Sequence, residues 1–157
     1  MIVTHAYFAR EIHMRWRQSR IDILRRLRQP LSAAVRGKTG AGPMPVIYKI
    51  VPQSLWAAAE AAGTFIGAPV DIADGYIHFS TAAQAPETAA RHFSGQRGLL
   101  LVAADTAKLG AALHWEVSRG GALFPHLYAA LAPADCLWVK PLPLGPDGAH
   151  AFPGLDA

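Results

Sequence analysis

The sequence predicts an α+β fold with largely antiparallel strands, and three observations point that way. The chain has 157 residues, enough for one core but not for two independent ones. Strand-like segments outnumber helix-like ones, and both clear helices come early in the domain. Hydrophobic residues make up 52% of the chain and charged residues only 17%, which suits a buried core.

Each element has its own signal. Val46–Val51 is a β-branched run and reads as the first strand. Pro52 to Ala62 reads as a helix, with Pro52 in the first turn, Leu55, Trp56 and Ala59 on an apolar face, and Gly63 as the stop. Thr64–Gly75 carries Gly, Pro and Asp at turn positions and reads as a loop with at most one short turn. Tyr76 to Ser80 alternates and reads as a strand. Thr81 to Phe93 is the second helix; Thr81 and Gln84 make a capping-box pattern, although Pro86 sits awkwardly for it. Leu99–Ala104 is a continuous apolar run, hence a buried strand, and Asp105–Leu109 is a helical turn. Leu113–Val117 alternates, Phe124–Tyr128 is short and extended, and Cys136–Leu142 is a final strand whose prolines suit an edge. The tail after Gly145 is rich in Pro and Gly.

Charge divides the chain. The formal net charge is +4, yet residues 1–43 hold nine Lys/Arg against two acids, while residues 44–157 hold six against nine. A leader at +7 therefore precedes a domain at −3. Basic charge alone points to nucleic acid; located in the leader, it gives the domain no such partner. Glu11 to Gln29 has helical spacing and ends at Pro30, with a linker-like stretch to Pro43. Three readings of the leader stand: a basic helix that touches anionic membrane or RNA, an organelle-type transit peptide, or a stretch without function. Met44 directly before the first strand raises the expectation that translation starts there and that 1–43 is an upstream over-reading.

Several classes are excluded. One cysteine, Cys136, rules out a disulfide framework and a cysteine-rich zinc site. No apolar run of membrane-spanning length and no secretory signal is visible, so a cytoplasmic protein is expected. No dinucleotide fingerprint, phosphate loop or zinc-protease motif occurs. His78, His92, His114 and His126 lie 14, 22 and 12 residues apart, which is not metal-ligand spacing, so no metal is expected.

Polar residues cluster in three places. On the strand around His78, residues two apart share a face, which groups Tyr76, His78 and Ser80; the competing account is an ordinary solvent face with Ser80 or Thr81 as a helix cap. His114-Trp115-Glu116 sets a carboxylate beside an indole, an arrangement that can raise its pKa or hold a sugar hydroxyl; the plainer account is a surface Glu. Arg119-Gly120-Gly121 permits close backbone approach or positive φ, with Arg119 suited to phosphate, and leads to His126 and Tyr128; a plain hairpin loop explains it equally. Arg91 and His92 complement a helix dipole.

Taken together, Ile47-Tyr48-Lys49-Ile50, Asp74-Gly75-Tyr76-Ile77-His78-Phe79-Ser80-Thr81, Arg91-His92-Phe93, Trp115-Glu116, Gly121-Ala122-Leu123-Phe124-Pro125-His126-Leu127-Tyr128 and Pro141-Leu142 resemble the bacterial domain-of-unknown-function family 952. The resemblance runs from about residue 46 to 153. The family is grouped by fold with the ADP-ribosyltransferases. That implies two small sheets flanking an NAD-type cleft, with NAD as substrate. It implies Glu116, His78 and Ser80 as catalytic, and Lys49, Tyr76, Thr81, Arg119, His126 and Tyr128 as ligand-binding. Lys49 stands where such transferases place His or Arg. Two readings follow: an enzyme of ADP-ribosyl-transfer type, or a non-catalytic binding or interaction module on the same fold. The second expects Glu116 turned away or salt-bridged.

Overall fold

The computed structural model describes residues 45–155. The basic leader and the start-site expectation at Met44 lie outside these described residues. The first strand, β1 (Val46–Pro52), runs antiparallel to β3 (Leu99–Asp105) in unbroken register from Val46 opposite Asp105 to Pro52 opposite Leu99. β3 pairs on its other side with β6 (Cys136–Leu142), also antiparallel, and a bulge between Ala103 and Ala104 skips Leu137. β6 is thus an edge, as its prolines require.

Both faces of this first sheet are covered, which explains the nearly continuous apolar runs of β1 and β3. Ile47 and Val51 enter one core with Trp56, Phe65, Ile77, Phe79 and Leu127. Tyr48 and Ile50 point the other way, toward Ala85, Ala89, Leu101 and Leu142. Lys49, two residues from both Ile47 and Val51, is carried into the first core, where it is 5% exposed.

The helices follow local signals. α1 (Gln53–Ala62) begins directly after Pro52 and ends at Gly63, whose φ of 69° is left-handed. A second helix, α2 (Pro69–Asp74), occupies the segment expected to be a loop. Its six residues are too few to show a periodicity, but Pro69 starts it, Asp71 accepts from the Ala68 amide at 2.7 Å, and Gly75 at φ 85° ends it. α3 (Ala85–His92) starts later than Thr81. The Thr81 amide donates to Gln84 Oε1 and the Gln84 amide to Thr81 Oγ1, so the capping box forms, but it closes a separate turn. Pro86, with no N–H to give, then sits in the first turn of α3. α4 (Thr106–Leu109) is a single turn capped by the Asp105 carboxylate.

The second sheet has the order β2 (Ile77–His78), β5 (Leu123–Leu127), β4 (Leu113–Val117), all antiparallel. The strand expected over Tyr76–Ser80 divides between the two sheets. Ile77 and His78 pair with β5, the Phe79 amide donates to Pro125 O at 2.9 Å, and Ser80 exchanges both backbone bonds with Tyr48 at 2.8 Å. This short segment therefore stitches the two sheets together. Gly120 (φ 66°) and Gly121 (φ 79°) make the β4–β5 turn in the positive-φ conformation their sequence allowed. Among the described residues no helix is long and apolar enough to cross a membrane.

Candidate functional site

Strand register builds one polar face on the second sheet. His114 lies opposite His126, and His126 opposite His78, so three imidazoles form a row across β4, β5 and β2. Tyr76, Glu116 and Tyr128 each stand two residues from one of these histidines and share their face. The Tyr76 ring stacks on His126 at 4.3 Å between centroids and lies 4.7 Å from His78 and 5.1 Å from Tyr128. His78 meets His126 edge-on at 5.3 Å, and His114 meets Tyr128 edge-on at 5.1 Å.

Two of the histidines are held by carboxylates. His126 Nδ1 is 2.8 Å from Glu116 Oε2, and the Tyr128 hydroxyl donates to the same oxygen at 2.8 Å. The hydrogen bonds from His126 and then Tyr128 hold the Glu116 carboxyl below its usual range, so it accepts and Nδ1 donates. Burial and the Glu116 carboxylate together push the Tyr128 phenol up to about 12. Burial, aided by Asp74 and Glu116, also raises Tyr76. Among the described residues nothing bonds Glu116 Oε1.

The second pair is built from inside. His78 Nδ1 is 2.8 Å from Asp71 Oδ1, and the His78 amide donates to the same oxygen at 3.0 Å. Lys49 Nζ reaches both Asp71 oxygens at 2.7 Å, and the Ala68 amide donates to Oδ2 at 2.7 Å. Burial pushes the Asp71 carboxyl up, but the His78 hydrogen bond and the Lys49 charge outweigh it and hold it at about 2. Burial pulls the Lys49 ammonium down, and Asp71 opposes that. The two form a buried salt bridge, with Lys49 Nζ 2.7 Å from the carboxylate. Gly67 makes room for it: a Cβ there would lie 2.6 Å from Asp71 Cβ, and its φ is 113°. On the outer side, His78 Nε2 faces Asp74 Oδ2 at 3.3 Å.

The other expected site residues lie elsewhere. The Ser80 hydroxyl meets Thr88 Oγ1 at 3.1 Å, on α3, because the chain changes sheets between His78 and Ser80. Thr81 caps its turn. Arg119 lies over the Phe124 ring at 5.0 Å and reaches Thr88 at 3.3 Å and Glu87 at 3.6 Å. Lys49 is behind the face, bound to Asp71. Of the two accounts of Glu116, the raised carboxyl beside an indole does not occur: Trp115 and Glu116, adjacent on a strand, point to opposite faces, the Glu116 pKa falls, and its side chain is 42% exposed as on a surface Glu.

Asp71, Asp74 and His114 belong to the arrangement and were not among the expected site residues. One signal for Asp71 was available. A lysine in the middle of a strand buried on both sides needs a carboxylate, and an Asp at the third position of a Pro-initiated turn is a natural donor of one. Among the described residues no group of three or more His, Cys, Asp or Glu is arranged to hold a metal ion. Two concavities, one beside α3 and Phe152 and one beside α1 and α2 around Leu55 and Ile72, contain none of the face residues.

Fold and site define an α+β domain of two three-stranded antiparallel sheets, the second carrying a half-open face of paired imidazoles and carboxylates. The model of the DUF952 family, described as a protein of unknown function, matches residues 50–139. The chain belongs to this family. The crystal structure of protein CC0527 from Caulobacter crescentus is 48% identical, with a TM-score of 0.66, over 68% of this chain and 93% of that one. A double mutant of CC0527 is 46% identical with a TM-score of 0.65, over 68% of this chain and 93% of that one. The solution structure of CC0527 is 49% identical with a TM-score of 0.62, over 68% of this chain and 91% of that one. No curated protein matches the chain.

Proposed function

We propose that the polar face of the second sheet binds a nucleotide of the NAD class and breaks its bond between nicotinamide and ribose, by ADP-ribosyltransferase-like chemistry. One observation carries this reading. Glu116 has one carboxylate oxygen fixed by His126 and Tyr128, and the other has no partner among the described residues, on a side chain 42% exposed. A carboxylate aimed in advance in this way stabilises positive charge as it develops on a ribose ring, without reorganising during the reaction. The rings of Tyr76 and Tyr128 offer flat surfaces for a base or a nicotinamide. Lys49, Ser80, Thr81 and Arg119 have no part in this version of the site. A cytoplasmic location completes the reading, and the single cysteine is in keeping with it.

A second reading has its own observation. Glu116 is paired with His126, the arrangement expected of a module that binds without turnover. Calorimetry with NAD, followed by chromatography for nicotinamide, separates the two. Heat together with nicotinamide release that is lost in Glu116→Gln supports the enzyme. Heat without release supports the binding module. No heat at millimolar NAD overturns both as nucleotide readings.

A further inference from the structure

The Lys49–Asp71–His78 chain reaches from the core to the polar face, and the mechanism so far uses none of its three members. Asp71 is 1% exposed and its carboxylate takes five contacts: two from Lys49 Nζ, one from the Ala68 amide, one from the His78 amide and one from His78 Nδ1. An ionised carboxylate only accepts hydrogen bonds. His78 Nδ1 must therefore carry a proton whether the ring is neutral or cationic. The ring is also fixed in angle, because its own backbone amide is bonded to the same Asp71 oxygen. The neutral ring has one N–H for two carboxylates; the buried Asp71 at 2.8 Å takes it over the half-exposed Asp74 at 3.3 Å, which leaves proton exchange to Nε2, on a side chain 34% exposed. Tyr76 packs tilted against the ring at 4.7 Å between centroids, and His126 meets it edge-on at 5.3 Å.

We propose that Asp71, held by Lys49, is a positioning residue that fixes His78 as the Nδ1–H tautomer, so that Nε2 serves as general base toward the acceptor. The base role rests on the nucleotide reading; the tautomer does not. In the step itself, the acceptor's O–H proton passes to Nε2 as its oxygen forms a bond to the ribose anomeric carbon. The bond from that carbon to nicotinamide breaks, and its electron pair leaves with the neutral ring. With water as acceptor the products are ADP-ribose, nicotinamide and a proton, and no oxidant or reductant is needed. Glu116 then meets the cationic sugar, and His78 meets the nucleophile.

The tautomer is read directly from imidazole nitrogen shifts of the ¹⁵N-labelled full chain above the pH at which the ring neutralises. The expected pattern is Nδ1–H for His78. An Nε2–H pattern overturns the proposal outright. Because Asp71→Asn can simply unfold the chain, the paired change Lys49→Met with Asp71→Leu is the companion. It should let His78 populate Nε2–H while His126, held by Glu116, is unchanged; an unmoved His78 pattern counts against Asp71 as its positioner. For the base role, His78→Gln should lower nicotinamide release at saturating NAD about 100-fold or more, with loss of the rising limb of the pH profile. Unchanged release overturns that role. If NAD does not bind and His78 is still Nδ1–H, the nucleotide reading falls and the positioning of His78 stands.

Discussion

The two carboxylate–histidine pairs are mirror images in burial. In one, the Asp71 side chain is 0% exposed and His78 34%. In the other, His126 is 5% exposed and the Glu116 side chain 42%. The bond is the same in both, Nδ1 to carboxylate oxygen at 2.8 Å. The difference decides what each pair offers. A buried carboxylate fixed by Lys49 and two amides is scaffold, and the imidazole it holds is the group presented to solvent. A buried imidazole under the Tyr76 ring is scaffold in turn, and its carboxylate is presented. One sheet face thereby presents an imidazole and a carboxylate, each backed by a buried partner.

Removing a scaffold member should cost stability, and removing a presented member should cost mainly function. The largest effect is expected for Asp71→Ala, which strands the Lys49 charge in the core and should cost about 3–5 kcal/mol in denaturant unfolding. Loss of less than 1 kcal/mol would mean that water reaches Lys49. Gly67→Ala comes next. It forces a left-handed backbone onto Ala and drives a methyl group against Asp71, so a cost of about 1–3 kcal/mol is expected. Its ring-nitrogen spectrum should change at His78 and not at His126; the reverse would break the separation of the pairs.

Acid gives the next effect. The Asp71 pKa is depressed from 3.8 to about 2. A depressed carboxylate contributes its stability fully above the unfolded value and loses it as pH falls through the folded one. The contribution is about 2 kcal/mol and should fade between pH 3.8 and 2. Comparing the unfolding of the native chain with the Lys49→Met, Asp71→Leu form across that window isolates it; a constant gap would contradict the assignment. The smallest stability effect belongs to Glu116→Gln. A half-exposed carboxylate contributes about 1 kcal/mol or less, so thermal unfolding should barely move, while the proposed nicotinamide release should disappear.

How much of this the sequence carries differs between the pairs. The residues of the Glu116 side stood out in the sequence, though not their bonds to one another. Alternation on β4 and the run into Tyr128 put Glu116, His126 and Tyr128 within reach of one another once a hairpin is assumed, and the glycines at 120 and 121 mark that hairpin. The Asp71 side was hidden, because α2 has six residues and no periodicity to read. Its partner Lys49 carried a weak signal as a lone charge within an apolar strand. Ser80 misled for a physical reason. Spacing of two puts residues on one face only while the strand stays in one sheet, and this strand leaves its sheet after His78. The early helices followed from cap and turn chemistry, and the antiparallel pairing from the number and order of the strand-like segments; the structure has both.

Under the proposed function, the mirrored pairs together make one ligand face. This is tested most directly by titrating NAD into the ¹⁵N-labelled full chain and following ring and backbone signals residue by residue. Saturable shifts should concentrate at Tyr76, His78, Glu116, His126 and Tyr128, with Arg119 and the α1–α2 concavity unmoved. Shifts centred on either of those regions, or none at millimolar NAD, would contradict it.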